Sequence, residues 1–410
     1  MKRSGTSPAD ASMSIEMIRA KHRQALGLMR EYGIDTWLLQ FARETGLRPD
    51  PLDYLVGAGV TWPSAFLLNQ DGSTAAIVGS GDAGTFEAPG LWSELRAFRN
   101  GPREDLLDLL HKWDPKTVGV TWSTSDETAD GITHGMYQLL ESMLAGSRFA
   151  DRLVSAGGLA GDVRSIKLPE EVEAIARAVE LTEDLLERIE RRLAPGITEI
   201  GLQRQVHDWV REAGWKFSWD EEFCPMVNFG QPAFMGHAGP TDRALQPGDV
   251  IHVDIGLIVD GFASDLQRTW YLRRPGETEA PPDVKRTFDA VLASLDAGVA
   301  AIKPGAKGFE VDAASRSAVE EWDFPEPAFA FGHNCGRVAH DGAGILGPEW
   351  ERYGDAPRVT LREGNVFAVE QDLEVPEYGG VIGLEEEVVV TADGARYLSS
   401  RPQRELKLLG

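Results

Sequence analysis

Two aspartates eleven residues apart, Asp254 and Asp265, flank a hairpin signal at Asp260-Gly261. Residues 250–258 read as a strand, mostly apolar, and residues 262–271 as its return. A two-residue turn pairs Val259 with Phe262 and sets Asp265 opposite Gly256. Asp254 lies two residues from Gly256, and side chains alternate with period two, so the carboxylates become diagonal neighbours on one face. On a mostly apolar hairpin they need protons, cations or a metal. The same alternation also permits a face turned to solvent, which would leave the pair idle. Other groups have chemical potential. Gly236-His237-Ala238-Gly239 precedes the hairpin, and Gly332-His333-Asn334-Cys335-Gly336 leads to His340. Glu370 ends a further strand, and Glu385-Glu386-Glu387 precedes Val388-Val389-Val390-Thr391. Taken singly, a histidine between glycines is a loop residue and a glutamate triplet a solvated edge.

The elements that position these groups repeat. Gly248-Asp249-Val250-Ile251-His252-Val253-Asp254 resembles Gly364-Asn365-Val366-Phe367-Ala368-Val369-Glu370, an offset of 116. Pro195-Gly196 and Pro304-Gly305, offset by 109, each break a pair of amphipathic helices: 168–193 and 198–212, then 283–302 and 309–321. Helix, helix and strand recur in one order, which favours duplication over coincidence. Both repeated strands end in a carboxylate, and a pseudo-twofold fold would bring those ends to one centre.

Before residue 155 the texture is that of an α/β domain. Helices are expected over 14–33 and 103–112, and strands at 36–39, 54–56, 65–68, 75–78 and 117–121. Ser155-Ala156-Gly157-Gly158 reads as a linker. Gly79-Ser80-Gly81-Asp82-Ala83-Gly84 fits G-x-G-x-x-G, but Pro89-Gly90 soon after leaves no room for a long helix, so a loop is expected and not a nucleotide site.

Composition excludes several classes. The chain has 410 residues, 65 acidic and 41 basic, and a net charge of −24, which argues against nucleic-acid and anionic-membrane partners. No apolar run approaches the roughly 20 residues of a membrane span. The polar N-terminus reads as a tail, not a secretory signal. Two cysteines, Cys224 and Cys335, rule out a disulfide framework and fit a reducing cytoplasm.

Together the motifs resemble the pita-bread metallopeptidases: methionyl aminopeptidase, aminopeptidase P, prolidase and creatinase. Asp53-Tyr54-Leu55-Val56-Gly57 looks like the Y-L-x-G segment of the creatinase-type N-terminal domain, and Arg164-Ser165-Ile166-Lys167 with Pro169-Glu170-Glu171 looks like the domain junction. The implied fold is α/β (α+β) in two domains. A flexible tail (1–12) precedes a creatinase-like domain (13–155) and a pseudo-twofold pita-bread catalytic domain (160–405). The family's ordered ligands Asp, Asp, His, Glu, Glu match Asp254, Asp265, His333, Glu370 and Glu385. Glu385 is preferred to Glu386 because the family ligand lies six residues before the closing Thr, here Thr391.

The resemblance implies two divalent ions, Mn²⁺ first, with Co, Zn or Fe as alternatives. Oxygen-rich ligation agrees with that order. Asp254 would hold one ion, His333 and Glu370 the other, and Asp265 and Glu385 would bridge. Glu370 would accept and return the proton of the attacking water. His237 and His340 would hold the scissile carbonyl and the developing oxyanion. The implied enzyme is a cytoplasmic homodimer that cleaves Xaa-Pro bonds in short peptides, as a dipeptidase or an aminopeptidase.

Departures from the family pattern leave two other readings. Asn334-Cys335 occupy the middle of the usual G-H-G-[LI]-G, with Cys335 a packing residue. Gln371-Asp372 replace Pro-Gly, Glu374 stands at a Tyr position and Gly383 at an Arg position, and the segment 344–355 is extra. A metal-dependent non-peptidase of the same fold, creatinase-like or a sulfonium lyase, is one alternative. A binding module that has lost catalysis is the other, disfavoured by the intact ligand set.

Overall fold

A computed structural model describes residues 13–42, 54–87, 90–125, 127–230, 239–376 and 379–410. The expected tail, Asp53 and His237 lie outside these residues. The chain forms two compact units that divide between Arg164 and Ser165.

The first unit runs α1 (Ile15–Glu31), β1 (Thr36–Ala42), β2 (Ser64–Asn69), β3 (Thr74–Gly79), α2 (Ala83–Glu87), β4 (Glu94–Phe98), α3 (Arg103–Trp113), β5 (Val118–Val120), α4 (His134–Leu144), β6 (Leu153–Ser155) and α5 (Gly157–Ser165). Ser14 caps α1, its hydroxyl accepting the Met17 N–H at 3.2 Å. The strands form one sheet, ordered β4-β3-β2-β1-β5-β6. Leu106, Leu109 and Leu110 of α3 and Met136, Leu140 and Leu144 of α4 recur at helical spacing and pack with Leu38, Leu67 and Ile77 of the sheet.

Three expectations change here. Tyr54, Leu55 and Val56 form a buried turn ahead of Gly57, whose φ is +77°, and not a strand. Their apolar character reflects burial in a core, which a turn also satisfies. The glycine-rich stretch after β3 enters α2, five residues long, where a loop was expected. Ser155–Gly158 is no linker: the chain passes from β6 directly into α5.

The second unit runs α6 (Pro169–Glu190), α7 (Glu199–Ala213), β7 (Lys216–Phe217), β8 (Met226–Phe229), β9 (Val250–Ile255), β10 (Leu257–Val259), β11 (Phe262–Ala263), β12 (Leu266–Leu272), α8 (Pro282–Ala301), α9 (Gly308–Glu321), β13 (Gly332–Asn334), β14 (Ile345–Leu346), β15 (Val366–Glu374), β16 (Val381–Thr391), β17 (Gly394–Tyr397) and β18 (Lys407–Leu409). Local signals explain the helix ends. Pro169 starts α6, and the Glu171 carboxylate accepts the Leu168 N–H at 2.6 Å. Thr198 caps α7 through the Gly201 N–H, and Gly214 ends it with φ +74°.

The main sheet is ordered β14-β13-β15-β16-β12-β9-β8. Reflected about the β16–β12 pair, β15 answers to β9 and β13 to β8, so the order is pseudo-symmetric. Backbone bonds repeat with the same offsets as the sequence motifs. Gly196 N–H donates to Leu245 O, and Gly305 N–H to Leu361 O. Bridge Thr198–Ala244 is likewise matched by Lys307–Thr360.

One face of this sheet is apolar. Val284, Phe288, Val291 and Leu295 form one stripe of α8 and share a core with Phe367, Val369 and Leu373 of β15 and Ile382, Leu384 and Val388 of β16. Each such side chain contributes roughly 1.5–3 kcal/mol on full burial. That face therefore fixes which way the alternate, polar positions point.

Candidate metal centre

The polar face assembles from four strands. The β9–β12 register pairs Asp254 with Gln267, β12–β16 pairs Gln267 with Glu385, and β16–β15 pairs Glu385 with Glu370. Asp254, Gln267, Glu385 and Glu370 thus form one row across the sheet. Period-two alternation adds His252 on β9, Asp372 on β15, and Gly383 and Glu387 on β16 to the same face.

Asp265 enters from the hairpin. Val259 pairs with Phe262, and both turn residues have positive φ, 51° at Asp260 and 78° at Gly261, as the Asp-Gly signal requires. The hairpin is not continuous, however. It breaks at Gly256 and at Ser264-Asp265, where the Asp265 N–H donates to Glu387 Oε1 at 2.7 Å instead of to the opposite strand. A Cβ at Gly256 would strike the Ser264 carbonyl, so the close approach that forms the break needs glycine.

His333 arrives on β13, which pairs with β15. Its Nδ1 donates to Ala339 O at 3.1 Å, leaving Nε2 as the free nitrogen on the side of the carboxylates. Nε2 lies 3.8 Å from Asp265 Oδ2, 3.8 Å from Glu385 Oε1 and 4.0 Å from Glu370 Oε1. Burial and the neighbouring His340 lower the His333 pKa to about 3, so the ring is neutral. His340 is exposed, edge-on to His333 at 4.1 Å between ring centres.

One donor atom each from Asp265, His333 and Glu385 lies within 4.8 Å of the other two. Asp254 is close enough to Asp265 to share a side-chain hydrogen bond. Five of the residues matched from sequence are therefore brought together, His340 stands beside them, and His237 lies outside the described residues. Glu386 points to the opposite face, where Arg268 takes it at 3.1 Å.

Electrostatics tests whether the set fits a cation. Burial first, then repulsion among neighbours, holds Asp254, Asp265 and Glu385 well above the usual carboxylate range. Glu370 is pushed to about 8 by burial and then by Asp372. Asp254 Oδ1 and Glu385 Oε2 are buried without a hydrogen-bond partner among the described residues. Such a set is strained with protons alone and is relieved by divalent cations, whose oxygen-rich ligands are of this type. The residues fit.

Sequence reasoning did not single out Gln267 or Glu387. Gln267 donates through Nε2 to Glu370 Oε2 at 2.8 Å. Glu387 holds the Asp265 backbone, and burial pushes its carboxyl to about 8. Alternation from Asp265 and Glu385 puts both on the site face, and that was the available signal. Cys335 is fully buried, 3.3 Å from Glu387 Oε1, and burial pushes its thiol up, which suits packing and not nucleophilic attack. Cys224 is also buried, and both cysteines are free.

Comparison with known proteins adds to this geometry. The profile of metallopeptidase family M24 matches residues 173–392. A Xaa-Pro dipeptidase of Pyrococcus furiosus is 26% identical over 245 residues, 60% of this chain and 66% of its own length. The solved Xaa-Pro dipeptidase from Bacillus anthracis superposes with a TM-score of 0.73 at 20% identity, covering 97% of this chain and 100% of that one. An X-Pro aminopeptidase from Thermotoga maritima gives 0.69 at 20% identity, covering 95% and 99%. The fold is the pita-bread fold in a two-domain chain.

Proposed function

Because the chain belongs to metallopeptidase family M24, we propose that it is a dinuclear, Mn²⁺-dependent peptidase that cleaves the bond before proline in short peptides. The observation that carries this reading is the meeting of Asp254, Asp265, His333, Glu370 and Glu385 on one sheet face. In it Asp254, Asp265, His333, Glu370 and Glu385 would hold the two ions. When bound, the ions would supply Lewis acidity and lower the pKa of a water molecule. Glu370 takes and returns the proton of the attacking water. His340, exposed beside His333, donates to the oxyanion as it forms, and His237 holds the carbonyl. The working form in this reading is a cytoplasmic homodimer.

A second reading, metal-dependent non-peptidase chemistry on the same fold, is favoured by one observation. Position 383 has no side chain, and Asp372, His252 and Gln267 crowd around it, so the site offers no arginine there for a substrate carboxylate. Mass spectrometry of Xaa-Pro dipeptides and longer X-Pro peptides, with Mn²⁺ and with chelator, separates the readings. Metal-dependent cleavage is expected, and the peptide length cleaved distinguishes dipeptidase from aminopeptidase. No cleavage by protein that holds two ions would favour the second reading.

A further inference from the structure

His252 is almost fully buried on β9, in the middle of the polar face, and the mechanism above gives it no work. Its Nε2 lies 2.9 Å from Gln267 Oε1, and Gln267 Nε2 lies 2.8 Å from Glu370 Oε2. The polarity of this chain of bonds is determined. As a metal ligand Glu370 is a carboxylate and accepts only, so the amide must present its NH₂ to it. The amide oxygen then faces His252, which must carry its proton on Nε2. Nε2 is thus the nitrogen that donates, at 2.9 Å to the amide oxygen. Nδ1 has no hydrogen-bond partner among the described residues.

The far oxygen of Glu370 shows what the bonds achieve. With Oε2 held by Gln267, Oε1 is the atom turned toward His333 Nε2, at 4.0 Å. Room for the arrangement comes from Gly383. A Cβ there would fall inside contact distance of His252 Nε2, Gln267 Oε1 and Asp372 Oδ1.

We infer that His252 and Gln267 are positioning residues that clamp Oε2 of Glu370 and so reserve Oε1 for a metal ion. The inference rests on the proposed ligand role of Glu370. Groups that orient a ligand in this way typically change metal affinity or activity by about 10- to 100-fold when removed.

The test is calorimetric titration of the apo-protein with Mn²⁺, alongside turnover and melting temperature. Wild type is expected to take two ions; if it does not, the dinuclear reading fails and the clamp is not at fault. Gln267→Met should weaken one ion about 10- to 100-fold and lower kcat on a similar scale, while the other ion stays near its wild-type affinity. His252→Met should shift the same ion in the same direction. His252→Gln, whose amide can replace the Nε2 donor, should recover most of the loss. Gln267→Asn, one methylene too short to reach both partners, carries the test if Gln267→Met does not fold. Wild-type affinity for both ions in a folded Gln267 variant overturns the clamp. So does a His252→Gln protein no better than His252→Met at equal melting temperature.

Discussion

Adjacent glutamates on β16 have opposite roles. Glu385 faces the carboxylate cluster and His333, whereas Glu386 faces Arg268, with Ser399 and the Gln403 N–H also donating to it. Glu385→Gln keeps the shape and removes the charge. We expect turnover to be lost and bound metal to fall from two ions to one or none by elemental analysis; full activity would sink the dinuclear mechanism. Arg268→Met should cost about 3–5 kcal/mol in urea denaturation, because it leaves Glu386 buried beside Glu183 without its cation. A loss below about 1 kcal/mol would mean that Ser399 and Gln403 alone satisfy Glu386.

For the strands and helices, the decisive feature is the break in the hairpin. The turn, Gly256 and the Glu387 carboxylate together place Asp265. Gly256→Ala should lower stability by roughly 1–3 kcal/mol, the range for overpacking, and should also lower Mn²⁺ stoichiometry, since it pushes on the strand that carries Asp265. Unchanged metal content in the folded variant would show that Asp265 keeps its place without the close approach. A second element-scale device is Glu199 at the start of α7. Its carboxylate accepts the Phe229 N–H and both the Thr241 N–H and hydroxyl at 2.7–2.8 Å, tying β8 to the chain that leads into β9.

At the scale of the whole molecule, acid sensitivity has one source in the first unit. Burial lowers the pKa of His22, and the Leu55 carbonyl at 2.8 Å only partly opposes it. The unfolded chain takes up this proton near pH 6.5 and the folded one only at lower pH, so the stabilising contribution is full above about 6.5 and is lost as pH falls. Thermal unfolding at pH 7.5 and 5.5 should therefore show a larger drop for wild type than for His22→Gln; equal drops would remove His22 as the cause. No helix among the described residues is long and apolar enough to cross a membrane. The proposed homodimer predicts twice the 44.8 kDa chain mass in light scattering at micromolar concentration, and a monomer mass would remove it.

Much of this protein is written in local rules. Asp260-Gly261 sets the hairpin register, Pro-Gly pairs break the helices, and alternation assigns faces, because each acts through residues adjacent in the chain. The residues that meet on the polar face were legible for the same reason: each sits in a short motif. The cross-sheet row was not. Gln267 meets Glu385 through a pairing of β12 with β16 that spans more than a hundred residues, and only the packing of both strands against the helices selects it. Tyr54–Val56 misled because burial does not distinguish a turn from a strand. The proton on His252 and the free oxygen of Glu370 depend on three strands at once, so only the tertiary structure decides them.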